Sequence, residues 1–182
     1  MLNDQELVST ISGGNLHAFG VLVRQYEKLV FNVVRRTIRD PSDVEDVCQE
    51  VFIRVYRGLS GFTFQSKLST WIARIAHRTA LNEVKKGRRQ HSSRPLEESV
   101  SLAAPGDTPG ERVEKKDLSM YLNQQIEGLP PQHGLLVTLY HIHDFSYSEI
   151  EEITGMPLGT IKGTLFRARK MLKEKLYERI NR

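Results

Sequence analysis

Residues Phe145 to Leu176 read as a short acidic helix that stops at Gly155, a turn through Met156-Pro157, and a second helix ending in a basic run. That order is the sequence form of a helix-turn-helix, whose second helix enters the major groove of DNA. Pro157 suits the entry turn, and Thr160 is the expected cap of the second helix. Ile161, Leu165, Ala168 and Leu172 form its inward stripe. Lys162, Gly163, Phe166, Arg167 and Lys170 then face outward, with Thr164 and Arg169 on the flanks. An outward Phe among cations is costly against water but suits thymine methyls or the sugar–phosphate wall.

The rest of the chain is helical in pattern, with no alternating strand signal and no internal repeat. Asn3 or Asp4 caps a first helix through Ile11, and Gly13-Gly14-Asn15 ends it. From Leu16, the positions Phe19, Leu22, Val23, Tyr26, Val30, Phe31 and Val34 recur at three and four. Asp40-Pro41-Ser42-Asp43 breaks the chain, with Ser42 as the expected N-cap and Glu45 completing a capping box. Val44, Val47, Val51 and Val55 line one side of the next helix, and Gly58 to Gly61 closes it. Phe62 to Lys67 is a loop, and Ser69 to Lys86 is a helix with Trp71, Ile72, Ile75, Ala76 and Leu81 among its apolar positions. Trp71 reads as core.

Gly87 to Arg112 then carries Pro95, Pro105, Pro109, Gly106 and Gly110 with no sustained period, which is a linker composition. Helix resumes near Val113 and runs through Leu118, Tyr121, Leu122, Gln125 and Ile126 to Gly128, and Pro130-Pro131 opens another through His141. The expected architecture is all-α: two small helical domains, 1–87 and 113–182, joined by a flexible linker over 88–112.

Net charge is only +4, but its distribution is uneven. Lys162, Arg167, Arg169, Lys170, Lys173, Lys175, Arg179 and Arg182 crowd the C-terminus, and Lys85, Lys86, Arg88 and Arg89 form a second cluster. Acidic residues gather at Asp40 to Glu50 and Glu149 to Glu152. The single Cys48 excludes an intramolecular disulfide and a cysteine-based zinc site, and it reads as a half-buried helix residue. His141 and His143 point to different faces, so no shared metal is expected. No nucleotide-binding glycine loop and no recognisable catalytic pairing is present, so the chain is read as a non-enzyme with no cofactor. No apolar run reaches the roughly 20 residues that span a bilayer, and the N-terminus lacks a signal-peptide pattern. A cytoplasmic location without membrane insertion is the expectation.

Pro157-Leu158-Gly159-Thr160-Ile161-Lys162 and Phe166-Arg167-Ala168-Arg169-Lys170 resemble the region-four signature of the extracytoplasmic-function sigma factors of bacterial RNA polymerase, in the sigma-70 family. Leu129-Pro130-Pro131-Gln132 is similar to the opening of that region. Asp43-Val44-Glu45-Asp46-Val47-Cys48-Gln49-Glu50-Val51-Phe52 looks like the family's region-two helix, and Ser66 to Ala76 like the segment after it. The resemblance covers nearly the whole chain except the linker.

The resemblance implies a promoter-specificity subunit of core RNA polymerase, with promoter DNA and an anti-sigma factor as further partners. The helix at Asp43 to Tyr56 would dock on the clamp helices of the polymerase largest subunit. Asp46, Gln49, Glu50 and Phe52 are the matching positions, with Arg54 as an addition. The loop and helix from Phe62 to Lys86 would hold the minus-ten element as a single strand. Phe64, Gln65, Ser66 and Lys67 in the loop, and Arg74, Arg78, Asn82, Lys85 and Lys86 on the helix, suit an unstacked base and a phosphate backbone. Thr160, Lys162, Gly163, Thr164, Phe166, Arg167 and Lys170 would meet the minus-thirty-five duplex. An anti-sigma factor would cover such faces, with Phe52 and Phe166 as exposed targets.

The chain departs from the pattern in two places. Arg78 stands where the family often has Asn, and Gly163-Thr164 where it often has Ser-Arg. Gly163 would bring the helix backbone closer to DNA while supplying no side-chain contact. Two other readings use the same residues: a dimeric helix-turn-helix regulator not bound to polymerase, and a protein-binding helical adaptor.

Overall fold

The computed structural model describes residues 3–38, 40–91 and 121–180, and every regular element among them is helical. Helix α1 spans Asp4–Ser12, α2 Leu16–Thr37, α3 Pro41–Gly58 and α4 Leu68–His91, with a 3-10 turn over Leu59–Gly61. Residues 121–127 are helical and are labelled α5. Helix α6 spans Pro131–Val137 and passes directly into a π-helical turn over Thr138–Ile142. Helix α7 spans Tyr147–Thr154, and α8 spans Leu158–Ile180. The expected helix start at Val113, with Leu118, lies outside the described residues, as does the linker from residue 92.

The N-terminal half is built on α2, which packs against α1, α3 and α4. Asn3 caps α1 through a capping box: its Oδ1 accepts the Glu6 N–H at 2.8 Å, and Glu6 Oε2 accepts the Asn3 N–H at 3.1 Å. Such a cap stabilises a helix by about 1 kcal/mol. The buried face of α2 is Ala18, Leu22, Tyr26, Leu29, Val30, Val33 and Val34. Phe31, expected on that face, is 44% exposed, because Leu29 and Val33 hold the centre of the stripe. Tyr26 donates its hydroxyl to Asp4 at 3.1 Å, and burial, then the Asp4 charge, push its phenol pKa up.

Helix α3 begins earlier than expected. Asp40, not Ser42, is the N-cap: its Oδ1 accepts from the Ser42 N–H at 3.0 Å and the Ser42 hydroxyl at 2.7 Å. Pro41 then occupies the first turn, where its missing N–H costs nothing. The four valines at 44, 47, 51 and 55 are buried, as their spacing predicts. Gly58 packs closely, since a Cβ there would lie 3.0 Å from the Trp71 ring. Trp71 is partly buried and packs on the core, with its ring 5.0 Å from that of Phe62.

Helix α4 buries Leu68, Ile72, Ala73, Ala76 and Ala80, while Leu81 faces solvent. It runs to His91, past the expected end at Lys86. Gly87 is tolerated at about 1 kcal/mol because good helix formers surround it.

In the C-terminal half, α6 and α7 pack on α8. Leu135, Leu136, Val137, Leu139, Phe145, Ile150, Ile153, Ile161, Leu165 and Ala168 form its core. Ser146 caps α7 with a second capping box through Glu149. Gly155 ends α7 at φ 71°, a left-handed conformation that suits glycine.

The two halves pack on one another. Helix α7 lies against α4, and α6 with its π turn lies against the C-terminal end of α2. The joint is polar. Lys67 pairs with Glu149 at 3.0 Å, Arg74 with Glu152 at 3.1 Å, and Arg35 with Glu127 at 2.8 Å. Arg36 Nε donates to the fully buried Thr138 hydroxyl at 3.1 Å, and Asn32 Nδ2 lies 3.1 Å from His143 Nε2.

Candidate nucleic-acid and partner interfaces

The outward face of α8 is set by its inward one. Ile161, Leu165 and Ala168 are fully buried, and Leu172 packs partly against the core. With that stripe fixed, the 3.6-residue period turns Lys162, Gly163, Phe166, Arg167 and Lys170 to solvent, and all five are exposed. Phe166 is 68% exposed, a large apolar ring on an otherwise polar face.

Two expectations for this helix are corrected. Helix α8 starts at Leu158, so Thr160 lies inside the first turn as an exposed residue rather than at the cap. Thr164 is 1% exposed, because it sits beside Ile161 and Leu165 on the core side. It reaches the outer face only through Arg167, whose Nη2 donates to the Thr164 hydroxyl at 3.4 Å.

The flank of this face carries a cluster that periodicity did not announce. The Tyr140 and Tyr147 rings stack at 4.9 Å, with Arg169 over Tyr140 and Lys162 over Tyr147 at 5.4 and 5.7 Å. Arg169 also donates from Nε to His141 Nε2 at 3.2 Å. Hydrogen bonds from Arg169, then Tyr140, hold the Tyr147 phenol below its ordinary value. Both aromatics lie outside the basic run, so the sequence signal was the cation spacing alone. His141 and His143 turn apart, one to Arg169 and the other to Asn32, and no metal-binding group is found among the described residues.

Helix α4 presents a second basic face. Lys67, Arg74, Arg78 and Lys85 lie on the side opposite the buried Ile72 and Ala76. Arg78, Asn82, Lys85 and Lys86 are exposed, and Lys86 pairs within the helix with Glu83 at 3.4 Å. In the loop before it, Phe64 adopts φ 58° and packs its ring 4.7 Å from Phe62. Phe64 is 39% exposed at the end of the Phe64–Phe62–Trp71 ring series. Gln65 and Lys67 are exposed and Ser66 is partly covered. Arg74 is partly covered, and both it and the exposed Lys67 pair with α7 carboxylates.

Helix α3 carries the third face. Asp46, Gln49 and Arg54 are exposed, and Glu50 pairs with Arg54 at 2.7 Å. Phe52 is not the exposed aromatic that was expected. It lies about a quarter turn from the valine stripe and packs partly against the core. The large side chains in the open are Ile53 and Tyr56, at 44% and 41% exposure. They continue the Asp46–Gln49 stripe at three- and four-residue steps, a signal that was available in the spacing. Phe19 of α2 meets the Tyr56 ring edge-on at 4.9 Å. Cys48, on the flank, is half-buried, and burial, then the Glu45 charge, push its thiol up to about 11.

Comparison with known proteins places this helical scaffold in a family. The sigma-70 region 2 family model matches residues 22–90, and the sigma-70 region 4 model matches residues 119–172. The chain is 36% identical over 189 residues to the ECF RNA polymerase sigma-E factor of Escherichia coli K12, covering 100% of this chain and 98% of that protein. It is 34% identical to the factor of the same name from Haemophilus influenzae, with 96% of each covered. Among solved structures, it is similar to the sigma factor RpoE of Bartonella quintana in complex with the anti-sigma factor NepR. The TM-score is 0.69 at 20% identity, with 87% of this chain and 96% of that one covered. It is also similar to CnrH in complex with the cytosolic domain of CnrY, with a TM-score of 0.62 at 20% identity over 96% of this chain and 97% of that one. At such identities these two show the fold.

Proposed function

The chain belongs to the extracytoplasmic-function sigma factors of the sigma-70 family, and we propose how its three faces divide that work. It directs transcription initiation as a polymerase subunit and carries out no bond chemistry of its own. Helix α3 docks on core RNA polymerase through Asp46, Gln49, Glu50 and Arg54, with Ile53 and Tyr56 supplying the apolar centre. Charged rims around an apolar anchor are the usual anatomy of such a surface. Phe52 supports this face from beneath.

The loop at Phe64 to Lys67 and the outward side of α4 take the minus-ten element as a single strand. Phe64 offers a ring edge for an unstacked base, while Arg74, Arg78, Lys85 and Lys86 track phosphates and Asn82 offers an amide. Helix α8 enters the major groove of the minus-thirty-five duplex. Arg167, fixed by Thr164, is placed for a base edge, and Lys162 and Lys170 for phosphates. Two modest contacts on one chain reinforce each other through effective concentration.

The observation that carries this reading is the outward face of α8, where Phe166 and Arg167 stand in the open between Lys162 and Lys170. A protein-binding adaptor has no use for that face. Regulation by an anti-sigma factor is suggested by the sigma factor of the same fold that was solved in complex with one. No helix among the described residues is long and apolar enough to cross a membrane, and we place the chain in the cytoplasm with its polymerase. Native co-purification with bacterial core RNA polymerase tests the reading. A stable stoichiometric complex is expected, and DNA binding without any such complex would favour the dimeric regulator.

A further inference from the structure

A cavity of about 300 Å³ opens between α2, α5 and the π turn, lined by Asn32, Arg35, Arg36, Asn123, Glu127 and Ile142. Its charges do not balance, with two guanidinium groups against one carboxylate. Arg35 pairs with Glu127 at 2.8 Å, and both are exposed. Arg36 is partly buried and forms no ion pair among the described residues. Its Nε is committed to the Thr138 hydroxyl at 3.1 Å. Its stem runs over Gly134, where an added Cβ would lie 3.5 Å from Arg36 Cδ. These two contacts orient the planar group and leave both terminal nitrogens without a hydrogen bond among the described residues. Burial pulls the Arg36 pKa below its usual value, with Glu127 partly offsetting it and Arg35 adding to it. A cation taken out of water without a partner is costly to a fold, so an oriented one in a cavity points to an anion from outside the chain.

We infer that this cavity binds a small oxyanion of the phosphate class, held in the fork of Arg36 and by the side-chain amide of Asn123. A guanidinium fork matches two phosphate oxygens at once. Asn123 is exposed on α5, across the cavity from α2, and its amide is free to donate. Asn32 is engaged instead, with Nδ2 3.1 Å from His143 Nε2. Donors on two different helices need acceptors on more than one side of the ligand, which a tetrahedral phosphate has and a carboxylate lacks. The volume lies at the small end of ligand sites. Ile142 is the apolar lining residue, against which the organic part of a phosphate ester would rest. The site uses none of the residues assigned above to polymerase or promoter DNA.

The test titrates the full chain with pyrophosphate at constant ionic strength, by calorimetry, with thermal melts alongside. Saturable binding in the millimolar range or tighter is expected, with a melting temperature that rises with ligand by mass action. The basic faces of α4 and α8 also attract anions, so the decisive variant is neutral in charge. Arg36→Lys keeps the cation but loses the fork, and should weaken pyrophosphate binding about tenfold. Asn123→Asp sets a carboxylate in the cavity and should weaken it at least as much. Gln5→Glu, the same change in charge on the exposed side of α1, should not. Asn123 and Gln5 are both exposed, so these two variants should melt like the parent without ligand and keep the test readable if Arg36→Lys disturbs the fold.

Adenosine diphosphate separates the two sources of such a group. Tighter binding than pyrophosphate, lost in Ile142→Ser, identifies a phosphate ester; equal or weaker binding identifies the free oxyanion. Unchanged affinity in either Arg36→Lys or Asn123→Asp, or an equal loss in Gln5→Glu, would overturn the inference and assign the binding to the basic faces. Absence of saturable binding would overturn it as well and leave Arg36 as a structural partner of Thr138.

Discussion

Glu149 binds Lys67 through one carboxylate oxygen and caps its own helix with the other: Oε1 lies 3.0 Å from Lys67 Nζ, while Oε2 accepts the Ser146 N–H at 2.8 Å. One side chain therefore starts the helix-turn-helix and ties it to the other half of the molecule. Burial opposes its charge, but the Ser146 hydrogen bonds and Lys67 together outweigh that and hold its pKa at about 2.

The pH response follows from these shifts. Glu149 has a depressed pKa, so its contribution is complete above its ordinary 4.5 and is lost progressively as pH falls from there to about 2. The histidines act earlier. Burial lowers His77 and His143, with Asp144 partly offsetting it at His143, so both resist the proton that an unfolded histidine takes up below 6.5. Stability should therefore be flat from 6.5 up to the ordinary 9.0 of the Cys48 thiol, above which the raised thiol pKa lowers it, and should fall on acidification from 6.5, well before Glu149 titrates. Thermal unfolding across that range checks this, and His143→Gln should flatten part of the fall. A melting temperature that rises as pH drops below 6.5 would contradict it.

Arg167→Ala should weaken minus-thirty-five duplex binding by roughly 1–3 kcal/mol if the guanidinium reads a base. Thr164→Val should produce a smaller loss in the same direction, because the hydroxyl only positions Arg167. Duplex affinity measured by anisotropy on the cognate promoter separates the two. Equal losses would mean that Thr164 matters through packing instead.

Gly163 has nothing within 4 Å of where a Cβ would stand. Gly163→Ala should therefore stabilise the free protein by up to about 1 kcal/mol, the usual gain in an exposed helix interior. Tighter folding with weaker duplex binding would locate a close backbone approach at this residue. Loss of thermal stability would mean that the site is not open.

Ile53→Ala with Tyr56→Ala should reduce affinity for core polymerase by roughly 2 kcal/mol or more, as expected for an apolar anchor, with little change in melting temperature. Phe52→Ala should do the reverse, lowering stability first, because its ring packs against the core. Surface plasmon resonance on immobilised core enzyme, beside thermal melts, checks the exchange of roles. Undiminished docking by Ile53→Ala with Tyr56→Ala would return the anchor to Phe52.

The elements most visible in the sequence were those governed by local periodicity. The valines at 44, 47, 51 and 55, the Ile161–Leu165–Ala168 stripe and the stop at Gly155 all follow from side-chain spacing and backbone conformation. Errors arose where two neighbours compete for one role. Leu29 and Val33 displaced Phe31 from the core, Asp40 displaced Ser42 as the cap, and Thr164 turned inward beside two fully buried aliphatics. The π turn at Thr138–Ile142 carries no proline or glycine to announce it. The packing of the two halves was not legible at all. Its partners, such as Arg36 with Thr138, lie far apart in sequence and are polar, so no period connects them.

Run-off transcription on genomic fragments, with core RNA polymerase reconstituted with this chain, tests the central assignment most directly. Transcripts from discrete new start sites that require the added chain, and that disappear with Arg167→Ala, are the expected result. Unchanged core transcription in the presence of the folded protein would contradict its role as a promoter-specificity subunit.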